Sequence, residues 1–285
     1  MSGPTRPVTA RSKVRDAAPA QYTPTNAVRF SIVLHVFAVL VLFASPEWWL
    51  WLLTTLLCNH LFLTAHVMWP RSRLLGANLV TLPRSSRENG YIALTFDDGP
   101  DPNVTPHVLD LLDHHGAKAS FFCIGQRATA YPEIVRDIVR RGHSVENHSY
   151  QHPHAFAFYL PCWLQREIND AQAAIEAITG IRPQFFRAPM GIRGPALDPV
   201  MVRSALRYVS WTRRGWDCVS SSPARVLRRI TSRLAAGDVI LLHDGSCAIT
   251  RGGEPVVLIV LPPLLDHLAR RGLRPVSLPI ALTMP

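Results

Sequence analysis

From residue 90 onward, short apolar runs alternate with amphipathic stretches, and this alternation restricts the possible folds more than any other feature. Runs at 91–96 (YIALTF), 119–124 (ASFFCI), 143–147 (HSVEN), 184–188 (QFFRA), 207–212 (RYVSWT), 238–243 (DVILLH) and 274–278 (RPVSL) read as strands. The stretches 104–115, 131–141, 163–179, 196–205, 223–235 and 256–271 between them read as helices. Gly116, Gly142, Gly180, Gly237 and Gly272 each follow such a stretch, where C-terminal caps belong. Six alternations predict parallel strands joined by crossover helices. Seven strands within residues 90–285 predict a small, distorted α/β architecture, a (β/α) barrel, with an open doubly wound sheet as the alternative. No internal repeat is present.

The chain before this region is organised differently. Residues 1–27, rich in Pro, Thr, Ser, Ala and Arg without an apolar period, read as a disordered basic tail. Residues 28–70 hold two apolar runs, 30–45 and 48–69, separated by Pro46 and Glu47. The second is long enough for a bilayer, which needs about 20 residues, and Val28 with a snorkelling Arg29 extends the first. Trp48, Trp49, Trp51 and Trp69 stand near the ends of the second run, as an interfacial belt would.

Three readings follow: a transmembrane hairpin, an anchor or signal followed by an exported domain, or two core helices of a soluble protein. Asn59, His60 and His66 support the latter two, because polar groups are costly in lipid. Arg6, Arg11, Lys13, Arg15 and Arg29 before the runs, and Arg71, Arg73, Arg84 and Arg87 after them, favour the hairpin with both flanks in the cytoplasm of a bacterial inner membrane. Residues 71–89 then read as a linker to a catalytic domain at 90–285.

Composition narrows the function classes. With 48% hydrophobic and 18% charged residues, a wholly disordered chain is excluded. The net charge of +10 is dispersed, with no basic helix or aromatic and basic stripe, so no nucleic-acid partner is expected. Attraction to anionic membrane lipids is the better use of the charge. Five cysteines at wide spacing, with no CxxC pair, read as buried hydrophobes in a reducing compartment.

In such folds chemistry sits at the C-terminal ends of the strands. Unusual polar residues fall there in order: Asp97-Asp98-Gly99-Pro100, Asn147-His148 with His152, Arg187-Ala188-Pro189-Met190-Gly191, Trp216-Asp217, and His243-Asp244. Each alone has a plain alternative: a turn, a surface histidine pair, a satisfied core histidine. Histidines at i and i+4 share one face of a helical turn, and two His with one carboxylate form a metal set that leaves positions for water and substrate.

These residues resemble the polysaccharide deacetylase family, which includes chitin, chitooligosaccharide and peptidoglycan N-acetylglucosamine deacetylases. TFDDGP at 95–100, HSYQH at 148–152, RAPMG at 187–191, Trp216-Asp217 and Leu241-Leu242-His243 match its motifs in order. The resemblance implies Asp97 as general base, Asp98, His148 and His152 as metal ligands, and Arg187 as the group orienting Asp97. It further implies the backbone N–H of Met190 for the oxyanion, His243 as general acid tuned by Asp217, and Leu241 lining the acyl pocket. One divalent metal ion is expected, zinc by default, with cobalt, nickel or manganese as alternatives. Met190 stands where the family usually has an aromatic residue, Cys218 where it has Trp, and Arg214 where it has an earlier Asp.

The function this implies is hydrolysis of the N-acetyl group of an amino sugar. An enzyme held at the cytoplasmic face would meet a lipid-linked (polyprenyl-phosphate) N-acetylhexosamine. Deacetylation of peptidoglycan or exopolysaccharide outside the cell, a deformylase acting on a lipid-linked formamido sugar, and a non-catalytic glycan-binding protein are the alternatives. The apolar stretch after His152, with Phe156, Phe158, Tyr159, Leu160 and Trp163, either folds onto the core or dips into a membrane interface.

Overall fold

The computed structural model describes residues 21–283, so residues 1–20 of the segment 1–27 read as a basic tail lie outside the described residues, while Asn26 and Ala27 already belong to the first helix. Thr25 caps the first helix, α1 (Asn26–Ala44), by accepting a hydrogen bond from the Val28 amide. Pro46 ends the run in a single 3-10 turn, and α2 (Trp49–Val67) folds back along α1. Both helices are long and apolar enough to cross a membrane. Their side chains point outward: Ala38 is the only residue of the two that is buried, while Phe30, Phe37, Leu40, Trp51 and Leu61 are exposed. They are therefore not packed into the core of the domain. Polar groups join them instead. Asn59 donates to Ser31 Oγ at 2.9 Å, and the His35 and His60 rings meet at 3.2 Å.

Residues 71–89 read as a linker, yet they are built into the domain. Leu75, Val80 and Leu82 are buried, and Leu79 bridges to Val209. Asn78 donates to the carbonyls of Pro70 and Ser72 and accepts from the Ser210 hydroxyl. A short helix, α3 (Arg84–Glu88), then leads to the first strand.

The strands are β1 (Tyr91–Asp97), β2 (Ser120–Cys123), β3 (Ser144–Asn147), β4 (Phe185–Phe186), β5 (Arg207–Tyr208), β6 (Arg213–Arg214), β7 (Val239–His243) and β8 (Arg274–Val276). Every ladder is parallel, in the order β5-β4-β3-β2-β1-β7-β6, with β8 on the first half of β1. The run 207–212, expected as one strand, is divided. Val209 donates to Phe186, Ser210 to Leu79 and Thr212 to Val239, so this segment crosses from one sheet edge to the other. The result is the expected distorted barrel, with a seam closed by irregular chain.

The crossover helices are α4 (Thr105–His114), α5 (Gly125–Ala130), α6 (Pro132–Arg140), α7 (Pro161–Thr179), α8 (Leu197–Arg203), α9 (Pro223–Thr231) and α10 (Val256–Arg270), with α11 (Leu278–Thr283) last. Pro opens α6, α7 and α9 at a position where its missing amide is harmless. Gly180 ends α7 with φ 71°, a conformation that penalises a Cβ.

Strand alternation sorts the core. Ile92, Leu94 and Phe96 of β1 join the layer under the helices, with Val108, Ile138 and Leu264. Ala93 belongs to the barrel interior with Phe122, Phe185, Trp211 and Leu241. Asp97 shares this inner face and reaches the rim. Of the cysteines, only Cys123 is buried; Cys58 and Cys162 are exposed, so burial does not describe the set.

Candidate active site

β1 and β3 end side by side with β2 between them, which brings two distant sequence segments together. Asp98 follows β1 with φ 70°, and His148 follows β3. Asp98 Oδ1 lies 3.2 Å from His148 Nε2 and 3.2 Å from His152 Nε2. The three ligand atoms are within 4.8 Å of one another. His148 Nδ1 faces the Arg187 carbonyl at 2.8 Å, which orients Nε2 toward the cluster. The Ser149 hydroxyl accepts from the His152 amide and holds that residue at φ 56°. Gly99 lies over Asp244, whose Oδ2 would be 2.2 Å from any added Cβ.

Electrostatics suit a cation here. Burial works against the Asp98 carboxylate, but the hydrogen bond and charge of His148 outweigh it and hold the group well below the usual range. Burial, then the charge of His148, brings His152 down to about 4, so its ring is neutral at neutral pH. For His148, burial opposes protonation while the charges of Asp97 and Asp98 outweigh it and raise the pKa. One ionised carboxylate and two convergent imidazole nitrogens are the donor set of a divalent-metal centre with open positions. The residues present fit the ion that the sequence implies.

Asp97 lies beside this set, its Oδ2 3.9 Å from His148 Nε2, but its other oxygen is engaged elsewhere. Its side chain is buried and accepts from Arg187. Arg187 is fully buried, stacks over Phe122 at 4.2 Å, and spends its other donors on Thr95 and the carbonyls of Val209 and Ser210. The guanidinium is thereby fixed, and it fixes Asp97.

His243 closes β7, the strand paired with β1 on its other side. Asp217, fully buried, grips it twice: Oδ2 accepts from the His243 amide at 2.7 Å and Oδ1 lies 3.0 Å from Nδ1. Burial alone would depress the imidazole, but the charge and hydrogen bond of Asp217 push His243 up to about 9.

Asp97, Asp98, His148, His152, Met190, Leu241 and His243 all line one cavity of about 870 Å³. Arg187 and Asp217 stand behind it. Met190 is 52% exposed at the rim with φ 58°, and Gly191 behind it leaves no room for a Cβ against Trp211. The sequence reading missed one wall. Met68, Trp69, Pro70 and Arg71, from the end of α2, line the same cavity, as do Trp211, Arg214, Trp216 and Arg229. Nothing in the local sequence marks Met68–Arg71, Trp211 or Arg229, and the first four are brought there by the tertiary path of residues 68–82; Arg214 and Trp216 stand at the motif position already noted in the sequence.

The polysaccharide deacetylase sequence profile matches residues 84–209. A chitooligosaccharide deacetylase of Azorhizobium caulinodans is 34% identical over 196 residues, covering 66% of this chain and 93% of that one. The chain belongs to the polysaccharide deacetylase family. A peptidoglycan-N-acetylglucosamine deacetylase of Bacillus cereus is 31% identical over 185 residues, covering 64% of this chain and 84% of that one. The solved family 4 carbohydrate esterase from Streptomyces lividans, in complex with acetate, superposes with a TM-score of 0.59 at 35% identity, over 66% of this chain and 92% of that one. As a polysaccharide deacetylase the protein is an enzyme, a carbohydrate deacetylase that hydrolyses amide bonds. The hairpin α1–α2 lies before the matched profile.

Proposed function

We propose that the enzyme removes the N-acetyl group from an amino sugar carried on a polyprenyl phosphate, at the cytoplasmic face of a bacterial inner membrane. One observation carries this reading: the cavity that gathers the proposed base, acid and ligand set has as a wall Met68–Arg71, the four residues that immediately follow the apolar helix α2. A sugar held in the bilayer by its carrier lipid would meet the site there.

Asp98, His148 and His152 would hold the divalent ion, zinc by default, which supplies Lewis acidity to the amide carbonyl and acidity to water. Asp97, anchored by Arg187, takes the proton from the attacking water. The backbone N–H of Met190 faces the developing oxyanion, and Leu241 lies against the acyl methyl. His243, protonated at neutral pH through Asp217, gives its proton to the departing nitrogen, because an amine anion cannot leave. The products are acetate and a free amine.

The basic residues on both flanks of the hairpin support the cytoplasmic side. Two comparisons test the reading. Mass spectrometry of lipid-linked sugars should find the N-acetylated species accumulating in cells that lack the gene. A reporter fused after Pro285 should be active only if it works in the cytoplasm. Unchanged lipid-linked sugars, together with an active periplasmic phosphatase fusion, would favour an exported enzyme acting on peptidoglycan, the substrate named for the Bacillus cereus relative.

A further inference from the structure

The cavity carries cations that the deacetylation chemistry leaves unused. Arg71, Arg214 and Arg229 line it, and among the described residues none of the three is paired with a carboxylate. Arg213, on the same wall, is different: it is tied to Asp238 at 2.7 Å and to two backbone carbonyls.

Arg214 is preorganised. Its guanidinium lies 4.0 Å above the Trp216 ring and 5.2 Å from that of Trp211. Its Nε is buried without a partner, and its one hydrogen bond is a 3.5 Å contact with the Cys218 thiol. A planar fork stacked on indoles, with its Nε unpartnered and Nη2 engaged only by a thiol, is suited to a phosphate. Arg71 is fixed by the carbonyls of Trp211 and Thr212, which occupy Nε and Nη2 and leave Nη1. Arg229 is exposed at the cavity edge. Like charges lining one cavity repel unless an anion joins them. The cavity's own carboxylates do not serve: Asp97 is taken by Arg187, and Asp98 by the two histidines.

A neutral N-acetylated polymer has no group for such a wall. We propose that Arg71, Arg214 and Arg229 form an anion subsite that takes the phosphate joining the amino sugar to its carrier lipid. This rests on the lipid-linked reading above and adds the residues that enforce it. Trp69 and Met68, also on this wall, continue toward α2 and the apolar part of the carrier. At about 870 Å³ the cavity falls within the range of about 300–1,000 Å³ typical of small-molecule sites.

Calorimetry on the detergent-solubilised full chain tests the subsite independently of turnover. The probes are N-acetylglucosamine 1-phosphate, the neutral methyl glycoside of N-acetylglucosamine, and glycerol phosphate. The sugar phosphate should bind about tenfold or more tightly than the methyl glycoside, as expected for one or two charge-assisted hydrogen bonds. That gap should close in Arg214→Gln and shrink in Arg229→Gln, an exposed position where folding is not at stake. Equal affinity for the two sugars in the wild type, or an undiminished gap in both variants, would overturn the proposal. Glycerol phosphate binding as tightly as the sugar phosphate would assign the wall to phospholipid headgroups and also overturn it. Acetate release from an N-acetylated chitooligosaccharide, measured on the same preparations, separates the two failures. Release without a phosphate preference removes the subsite and leaves the deacetylase, whereas a phosphate preference without release from any substrate removes the proposed reaction and leaves the subsite.

Discussion

Asp97 and Asp98 are adjacent in sequence but differ in their surroundings, and the proposed function gives them different tasks. Asp98 faces two imidazole nitrogens at 3.2 Å, whereas Asp97 is engaged by a buried guanidinium. Asp97→Asn should therefore keep its bound metal and lose about 10²–10⁴ in kcat, the usual contribution of a positioned proton-transfer group. His148→Ala should lose the metal as well, which elemental analysis of the two purified variants would show. The His243 pair gives a pH signature. With its pKa raised to about 9, His243 is protonated at neutral pH and loses its proton as pH rises through that value. The alkaline limb of the rate profile reports that loss. Asp217→Asn removes the counter-charge, so kcat/KM against pH should show the alkaline limb moved to lower pH. An unmoved limb would take His243 out of the acid role.

At the scale of elements, the stretch after His152 divides between its two sequence readings. Phe156 is buried against Phe186, with ring centroids 5.7 Å apart, in a cluster with Leu164 and Ile168. Phe158 is 83% exposed, and Leu160 and Trp163 also face outward. Phe156→Ala should destabilise the fold by about 3–5 kcal/mol, seen as a lowered thermal midpoint. Phe158→Ser with Trp163→Ser should change stability by no more than about 1 kcal/mol. It should instead depress turnover of a vesicle-held sugar lipid relative to a short soluble analogue. Equal losses on both substrates would remove the membrane contact. The sequence could not separate these residues, because an apolar loop outside any period carries no signal of which side chain turns inward. The same holds for residues 71–89, where Leu75, Val80 and Leu82 are spaced without a strand or helix repeat yet are buried. Strands β1, β2 and β7 were legible because apolar runs bounded by turn residues leave few other structures. The division of 207–212 into β5 and β6 was not legible, since it depends on Phe186, Leu79 and Val239 as successive partners.

For the whole molecule, parallel topology explains why the site was readable before the structure. All strand ends point to one rim, so polar residues placed there by five separate segments converge. The arginine wall and the contribution of Met68–Arg71 were not readable, because dispersed basic residues look alike in a sequence with 30 of them. What joins the two halves of the chain is the path from α2 to β1, fixed through Arg71, Asn78 and Leu79. That path places the segment following the apolar hairpin, Met68–Arg71, on the candidate cavity. The most direct test of this account is a reaction of the purified full chain with a polyprenyl-phosphate N-acetylhexosamine in mixed detergent micelles. Released acetate and newly formed amine would be counted beside the Asp97→Asn variant. The wild type should give equal amounts of acetate and amine, and the variant almost none. Intact lipid-linked sugar after incubation with metal-loaded wild-type enzyme, alongside acetate release from a wall polymer, would contradict the proposed function.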